Sequence, residues 1–309
     1  MGIPGLLPFV RRRFPAVISG VATLRPFAHQ RLLVDGTGLL YRFAYASHGD
    51  LDKCSQKFAT QLSKFREHLI SPSYFFEKES RHEGEGGGNL DVQCKRDHAW
   101  RKREKDRLSA MLRADDAQRQ AMAIMGEGSY DKTTEDTVKD AVVDDKRIHL
   151  KKDDVQKVVD TLGQEGCDVR WTDLDAEKEC VRQCRSDSDV VVSDDVDALV
   201  FGAPAVLRNV QSPLGLMYIK REELLDAMCF SMEEFIDFCI LCGCDYTEKL
   251  PGIGPVAAYE IIQKHRSIEA FLDSDDFQKL ASKKVVTKVL QKSGCSSPIE
   301  FVEKFVDYK

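Results

Sequence analysis

Short apolar runs that end on an acid alternate along this chain with longer stretches whose apolar residues recur at helical spacing. Val190-Val191-Val192 has no polar alternation, the pattern of a strand buried on both faces of a parallel sheet, and Asp194, Asp195 and Asp197 follow it closely. Leu32-Leu33-Val34 runs into Asp35, Tyr74-Phe75-Phe76 into Glu77, and the apolar stretch 238–244 into Asp245. Phe58, Leu62, Phe65 and Leu69 space a helix over 56–70, behind another at 38–46. Further strands are predicted at 31–35, 74–77, 169–171, 205–210 and 217–219, the last two paired around Pro213-Leu214-Gly215. Further helices are predicted at 136–162, at 174–184 behind a Thr172 or Asp173 cap, at 221–228, at 231–242, and from the Gly-rich turn near 252 to about His265. The last 40 residues read as helical and basic.

The acids change the picture from fold to chemistry. Nothing in 189–202 supplies a neutralising Lys or Arg, so carboxylates gathered at one strand end repel one another unless a cation sits among them. In open α/β sheets the functional crevice lies at the carboxyl ends of the strands, which is where these acids fall. Asp175 and Glu177 add a pair at the start of a predicted helix. The structural alternative is that such acids cap helices and complement helix dipoles. Five acid-tipped segments in one chain favour a hard divalent metal over capping alone.

With 309 residues the chain can bury a full core, and 45 basic against 51 acidic residues leave a net charge of −6. Overall charge therefore does not advertise nucleic acid, and any basic surface is local. The ten cysteines come with no secretory signal or paired framework, and no run of 18 apolar residues occurs, so a reduced, soluble, intracellular protein without a membrane partner is expected. Cys239, Cys242 and Cys244 have a spacing that suggests zinc, but they lie in an apolar helical stretch with no second Cys or His cluster nearby, which favours buried thiols.

Local charge does appear after the glycine-rich linker 83–89. Residues 95–107 hold seven basic side chains against three acidic ones, with Trp100 among them. A phosphate-gripping helix and an ordinary solvated helix both fit this run. A second glycine break at 126–128 makes the segment between them an insertion rather than a second core. Gly252-Ile253-Gly254-Pro255 leaves main-chain N–H groups at a helix start, a ready phosphate site or a plain helix connection. The glycine-rich apolar start Gly2-Ile3-Pro4-Gly5-Leu6-Leu7 is expected to tuck against the fold.

Together these segments resemble the structure-specific 5′ nucleases, and within them the flap endonucleases. The likeness lies in Met1 to Leu7, Val34-Asp35-Gly36, Leu174-Asp175-Ala176-Glu177, Ser193 to Gly202, Cys239 to Tyr246, Gly252 to Pro255 and Gln263 to Glu269, in the family's order, over roughly 1–45, 74–77 and 145–272. The resemblance implies an α/β, PIN-like nuclease fold, a twisted, mostly parallel sheet flanked by helices. It implies one nuclease domain over 1–272 with a helical arch at about 83–145 and a helix-two-turn-helix element at about 231–272, then a helical extension at 273–309. It also implies two Mg²⁺ ions, replaceable by Mn²⁺, held by Asp35, Asp175, Glu177, Asp195, Asp197 and Asp245, with Glu77 as a direct or water-bridged ligand. Asp194 stands where the family commonly has Glu and is left out of the ligand set.

The same resemblance places Arg96 and Arg103 against the reacting phosphate, with Lys95 and Lys102 as the competing frame, and Tyr41 and Gly2 against DNA. Gly252 and Gly254 would hold the duplex backbone, with K⁺ at that turn. The implied substrate is DNA with a 5′ flap or single-strand/double-strand junction, in replication and repair. The implied location is nuclear for a cellular member, and the host nucleus or cytoplasm for a viral one. Departures are Phe76-Glu77-Lys78 where the family has Phe-Asp-Gly, an irregular arch, and no motif for a sliding clamp before Lys309, as in a compact or shortened member. Two alternatives stay open: a non-catalytic junction-binding protein, and a relative preferring recessed ends, bubbles or junctions.

Overall fold

Three of the acid-tipped runs, 32–35, 74–77 and 190–192, form strands whose parallel pairing lines their ends up along one edge, whereas the apolar run from 238 closes a helix, Met232–Cys242. A computed structural model describes residues 3–78, 150–210, 215–243 and 252–281. Its strands β1 (Ser19–Val21), β2 (Leu32–Asp35), β3 (Ser73–Glu77), β4 (Asp168–Thr172), β5 (Val190–Val192), β6 (Ala205–Arg208) and β7 (Leu216–Lys220) form one seven-stranded sheet in the order β1-β7-β6-β5-β2-β3-β4. Strands β4, β3, β2, β5 and β6 run parallel, and β7 and β1 complete the sheet antiparallel. The described helices are α1 (Leu6–Arg13), α2 (Gly36–Ala46), α3 (Leu51–Glu67), α4 (Lys152–Gln164), α5 (Ala176–Arg182), α6 (Asp197–Val200), α7 (Arg221–Met228), α8 (Met232–Cys242), α9 (Pro255–His265), α10 (Ile268–Leu272) and α11 (Asp275–Ala281).

Alternate residues of each strand face opposite layers. Leu33, Phe75, Val191 and Val206 join a core with Leu6, Phe9, Cys180, Phe235, Phe238 and Ile262, from α1, α5, α8 and α9. On the other face Tyr74 and Phe76 meet Phe58 of α3, which also stacks edge-on against Phe43 of α2 at 4.9 Å between ring centres. Phe58 is fully buried, so Phe58→Ala should lower unfolding free energy by about 3–5 kcal/mol, read as a reduced urea midpoint.

Several boundaries differ from the sequence expectation. The helix expected at 56–70 starts five residues earlier, at Leu51, because the Asp50 carboxylate accepts from the N–H groups of Asp52 and Lys53, at 3.1 Å each. Asp175, rather than Thr172 or Asp173, caps α5, which is shorter than the helix expected at 174–184. The strand expected at 205–210 stops at Arg208, and Asn209 turns into a left-handed conformation, φ 60°. Strand β1 and helix α1 were not expected. Cys239 and Cys242 are buried free thiols. Residues 79–149, 211–214, 244–251 (with Cys244) and 282–309 lie outside the described residues.

Candidate functional site

The parallel register fixes where the acids meet. Leu33 lies beside Ser73 of β3 and Val191 of β5, so Asp35, Glu77 and the Ser193–Asp197 segment all leave the sheet at one edge. The chain builds β3 and β4 to one side of β2, then returns to build β5 and β6 on the other. The crevice of such a sheet opens at this switch between β2 and β5.

Five described acids of this edge, Asp35, Glu77, Asp175, Asp195 and Asp197, are anchored by main-chain N–H groups, and Glu177 is not. Asp35 caps α2, accepting from Gly38 at 2.8 Å. Asp175 accepts from Glu177 at 3.0 Å, and Glu77 Oε1 accepts from Ala176 at 3.1 Å, so two carboxylates share the start of α5. Asp195 accepts from Val196 at 2.8 Å and Asp197 at 3.3 Å. Asp197 accepts from Ile3, far away in sequence, at 2.8 Å. Capping and clustering are therefore largely the same arrangement: the starts of α2, α5 and α6 draw carboxylates in, two of them at α5, and the sheet edge brings these helix starts together.

Anchoring does not neutralise them. Burial pushes Asp35 up to about 7, with Asp175 and Glu77 adding repulsion against the lowering Gly38 N–H. Burial also raises Glu177 well above the ordinary glutamate value, and Asp195, Asp197 and Asp35 raise it further, opposed by a hydrogen bond from Ser193. Asp197 is raised by burial and by Asp195. Glu177 Oε1 is buried and has no hydrogen-bond partner. A buried oxygen left without a donor is costly, and among like charges a cation is the group that satisfies it.

All these donors are carboxylate oxygens, the set that suits a hard divalent ion such as Mg²⁺. Among the described residues no three His, Cys, Asp or Glu side chains close into a ready cage.

Gly38 sets the Asp35 carboxylate by what it lacks. A Cβ there would stand 3.0 Å from Asp35 Cγ and closer still to one of its oxygens. Gly38→Ala therefore displaces the carboxylate while leaving the helix intact, and should slow the DNA cleavage that the sequence resemblance implies about 10²-fold with little change in melting temperature. A variant that cuts at the wild-type rate would remove Asp35 from the site.

Other expected site residues divide by position. Tyr41 is exposed on α2. Gly252, at φ 86°, and Gly254 have open space where a Cβ would be, so the main chain ahead of α9 is accessible. Gly2, Lys95, Arg96, Lys102, Arg103 and Asp245 lie outside the described residues. Three groups at the site were not foreseen. Ser193 bonds Glu177 with its hydroxyl and accepts from the Asp195 N–H at 3.1 Å. Asp194 pairs with Arg42 and accepts from the Asn209 N–H at 3.2 Å, which accounts structurally for an acid outside the ligand set. The third is the Ile3 N–H; a main-chain donor leaves no mark in the sequence.

A family model, the XPG I-region, matches residues 169–245, the segment that carries Asp175, Glu177, Asp195, Asp197 and Asp245. The chain is 28 % identical over 303 residues to a Flap endonuclease 1 of Theileria parva, covering 90 % of this chain and 55 % of that one. It is 29 % identical over 283 residues to a Flap endonuclease 1 of Trypanosoma brucei brucei, covering 89 % and 68 %. The chain thus spans about half the length of the Theileria relative. Its fold is similar to the catalytic core of Rad2 in complex with DNA substrate, with a TM-score of 0.60 at 18 % identity, over 98 % of this chain and 85 % of that one.

Proposed function

We propose that this chain, a relative of the flap endonucleases that carries an XPG I-region, is a divalent-metal-dependent nuclease that cleaves DNA where a 5′ flap meets a duplex, with 5′-to-3′ exonuclease activity, in replication and repair. The observation that carries the reading is the partnerless Glu177 oxygen buried among Asp35, Asp195 and Asp197, a charge arrangement that a cation completes. Asp35, Asp175, Glu177, Asp195 and Asp197 would hold the metal, joined by Asp245, with Glu77 ligating directly or through water. Two Mg²⁺ ions, or Mn²⁺ in their place, fit this donor set. When bound they would supply Lewis-acid activation of the attacking water and charge stabilisation at the leaving oxygen.

The chain's own residues do the rest. The N–H groups of Gly38, Ala176, Glu177, Val196 and Ile3 hold the carboxylates in place, and the packed sheet beneath excludes water from their inner side. Exposed Tyr41 offers a face for a nucleobase to stack on. The open main chain at Gly252 and Gly254 fits a duplex phosphate, with K⁺ between them, and such contacts read shape rather than sequence. Arg96 and Arg103, or Lys95 and Lys102 in the competing frame, would meet the reacting phosphate.

The test is cleavage of end-labelled flap, nicked, gapped and bubble duplexes, with Mg²⁺ and with EDTA. Flap cutting lost in EDTA supports the proposal, whereas binding without cutting would leave a junction-binding protein. Glu77→Ala should slow cutting at least tenfold and Glu77→Asp less, because aspartate keeps a carboxylate at the same strand end. Equal rates for Glu77→Ala and wild type would take Glu77 out of the site.

A further inference from the structure

Residues 3–5 join two places that the chain otherwise reaches separately. At one end the Ile3 N–H donates to Asp197 Oδ1 at 2.8 Å, inside the core. At the other, Gly5 turns with φ 79°, and a Cβ on it would stand 3.0 Å from Pro255 Cγ, so its main chain lies tight against the first residue of α9. The run between them is short and firmly held. Leu6 donates back to Ile3 at 3.1 Å, Phe9 to Gly5 at 3.0 Å, and Ile3 and Leu6 are buried in one core with Ile253 of the turn. Phe9 and Phe14 pack on the Tyr259 ring of α9 at 5.5 and 5.6 Å, so α1 and α9 are locked together beyond the point of contact.

We propose that residues 3–5 form a strut that sets the Asp197 carboxylate and carries engagement of a DNA duplex at the Gly252–Pro255 turn to the acid cluster; this rests on the proposed function, in which that turn holds the duplex. The physical reason is stiffness. A close-packed interior transmits small displacements, and the strut has a hydrogen bond at one end and, at the other, a main chain too close to Pro255 to admit a Cβ, with the Phe9 and Phe14 rings packed on Tyr259 behind it. Metal ligands need their carboxylates within a few tenths of an ångström, so a small shift of Pro255 alters how well Asp197 can serve. Ile3 thus acts as a positioning residue through its main chain, and Gly5 is required because a side chain there is both conformationally strained and sterically opposed by Pro255.

The test uses the full chain labelled with ¹⁵N and reads the Ile3 amide resonance while a blunt DNA duplex without a flap is added in the absence of divalent metal. Duplex binding is followed in parallel by fluorescence anisotropy. The Ile3 amide is expected to shift saturably, along the binding curve. Pro255→Ala, which removes the ring and keeps the turn, should bind the duplex within about threefold of wild type, lose most of the Ile3 shift, and need about tenfold more Mg²⁺ for half-maximal flap cleavage. Gly5→Ala should move the Mg²⁺ requirement in the same direction. Duplex binding with a stationary Ile3 amide, or an unchanged Mg²⁺ requirement in both Pro255→Ala and Gly5→Ala, overturns the strut and leaves the nuclease proposal standing. A duplex that does not bind at all, or binds equally well when Gly252→Val blocks the turn, overturns the role of the turn and the strut with it.

Discussion

Asp197→Asn should abolish metal-dependent cleavage of flap DNA and at the same time raise the melting temperature of the metal-free protein. Asparagine matches aspartate in shape and keeps an oxygen for the Ile3 N–H, so the fold around the site survives. What it removes is a carboxyl group whose ionised form is disfavoured by burial and by the neighbouring Asp195. Losing one anionic donor forfeits several kcal/mol of charge stabilisation, and each 1.36 kcal/mol is a factor of ten, so a rate loss of about 10³-fold or more is expected. Relieving the repulsion works the other way on stability, by about 2–4 °C for each kcal/mol recovered. Flap cleavage and calorimetry of the same preparation check both halves. Near-wild-type cutting would remove Asp197 from the site, and a lower melting temperature would mean that the cluster stores no repulsion.

The second large effect is in pH. Burial holds Asp35 at about 7, whereas an aspartate in the unfolded chain titrates near 3.9. Between those values the folded protein carries a proton that the unfolded chain has released, so the folded state binds more protons and its stability falls as pH rises. One such group costs about 1.4 kcal/mol per pH unit, or roughly 4 kcal/mol across the window, and Glu177 and Asp197 are shifted in the same direction. Carboxylates hydrogen-bonded to arginine, Asp168 to Arg170 and Glu179 to Arg182, are shifted down and act the opposite way, but only as pH falls through their lowered range. Metal-free protein should therefore lose stability between about pH 4.5 and 7.5, and millimolar Mg²⁺ should restore it at the upper end by binding the deprotonated folded form. Urea unfolding in EDTA and in Mg²⁺ measures this, and coincident, flat profiles would contradict it.

Strands that end on acids were legible because a buried parallel strand has almost no choice of composition, and Val190-Val191-Val192 or Leu32-Leu33-Val34 can hardly be anything else. Strand β1 was not legible, since Ser19-Gly20-Val21 has no apolar pattern and exists by pairing with Leu216 to Tyr218 of β7. Helix α1 was obscured by its surroundings. Leu6, Phe9 and Val10 have helical spacing, but the glycines and proline before them and Arg11 to Arg13 after them drew attention to the flanks. In the site, acids at strand ends could be found from residue type and order. The Ile3 donor, the bridging Ser193 hydroxyl and the Asp194–Arg42 pair could not, because they depend on which distant segments the fold brings together.

The seam between β2 and β5 has one more consequence, for the order in which the protein folds. Strands β2 and β3, with α2 and α3 between them, are near neighbours in the chain, as are β5, β6 and β7, whereas Leu33 and Val191 meet only by closing a long loop. Closing such a loop costs entropy before its contacts repay it, so non-local pairings of this kind slow folding. Asp35 and Glu77 belong to one side of the seam, Asp195 and Asp197 to the other. Their mutual repulsion opposes the same closure, so a divalent ion present during refolding should speed formation of this seam, and stopped-flow refolding in Mg²⁺ and in EDTA measures the difference.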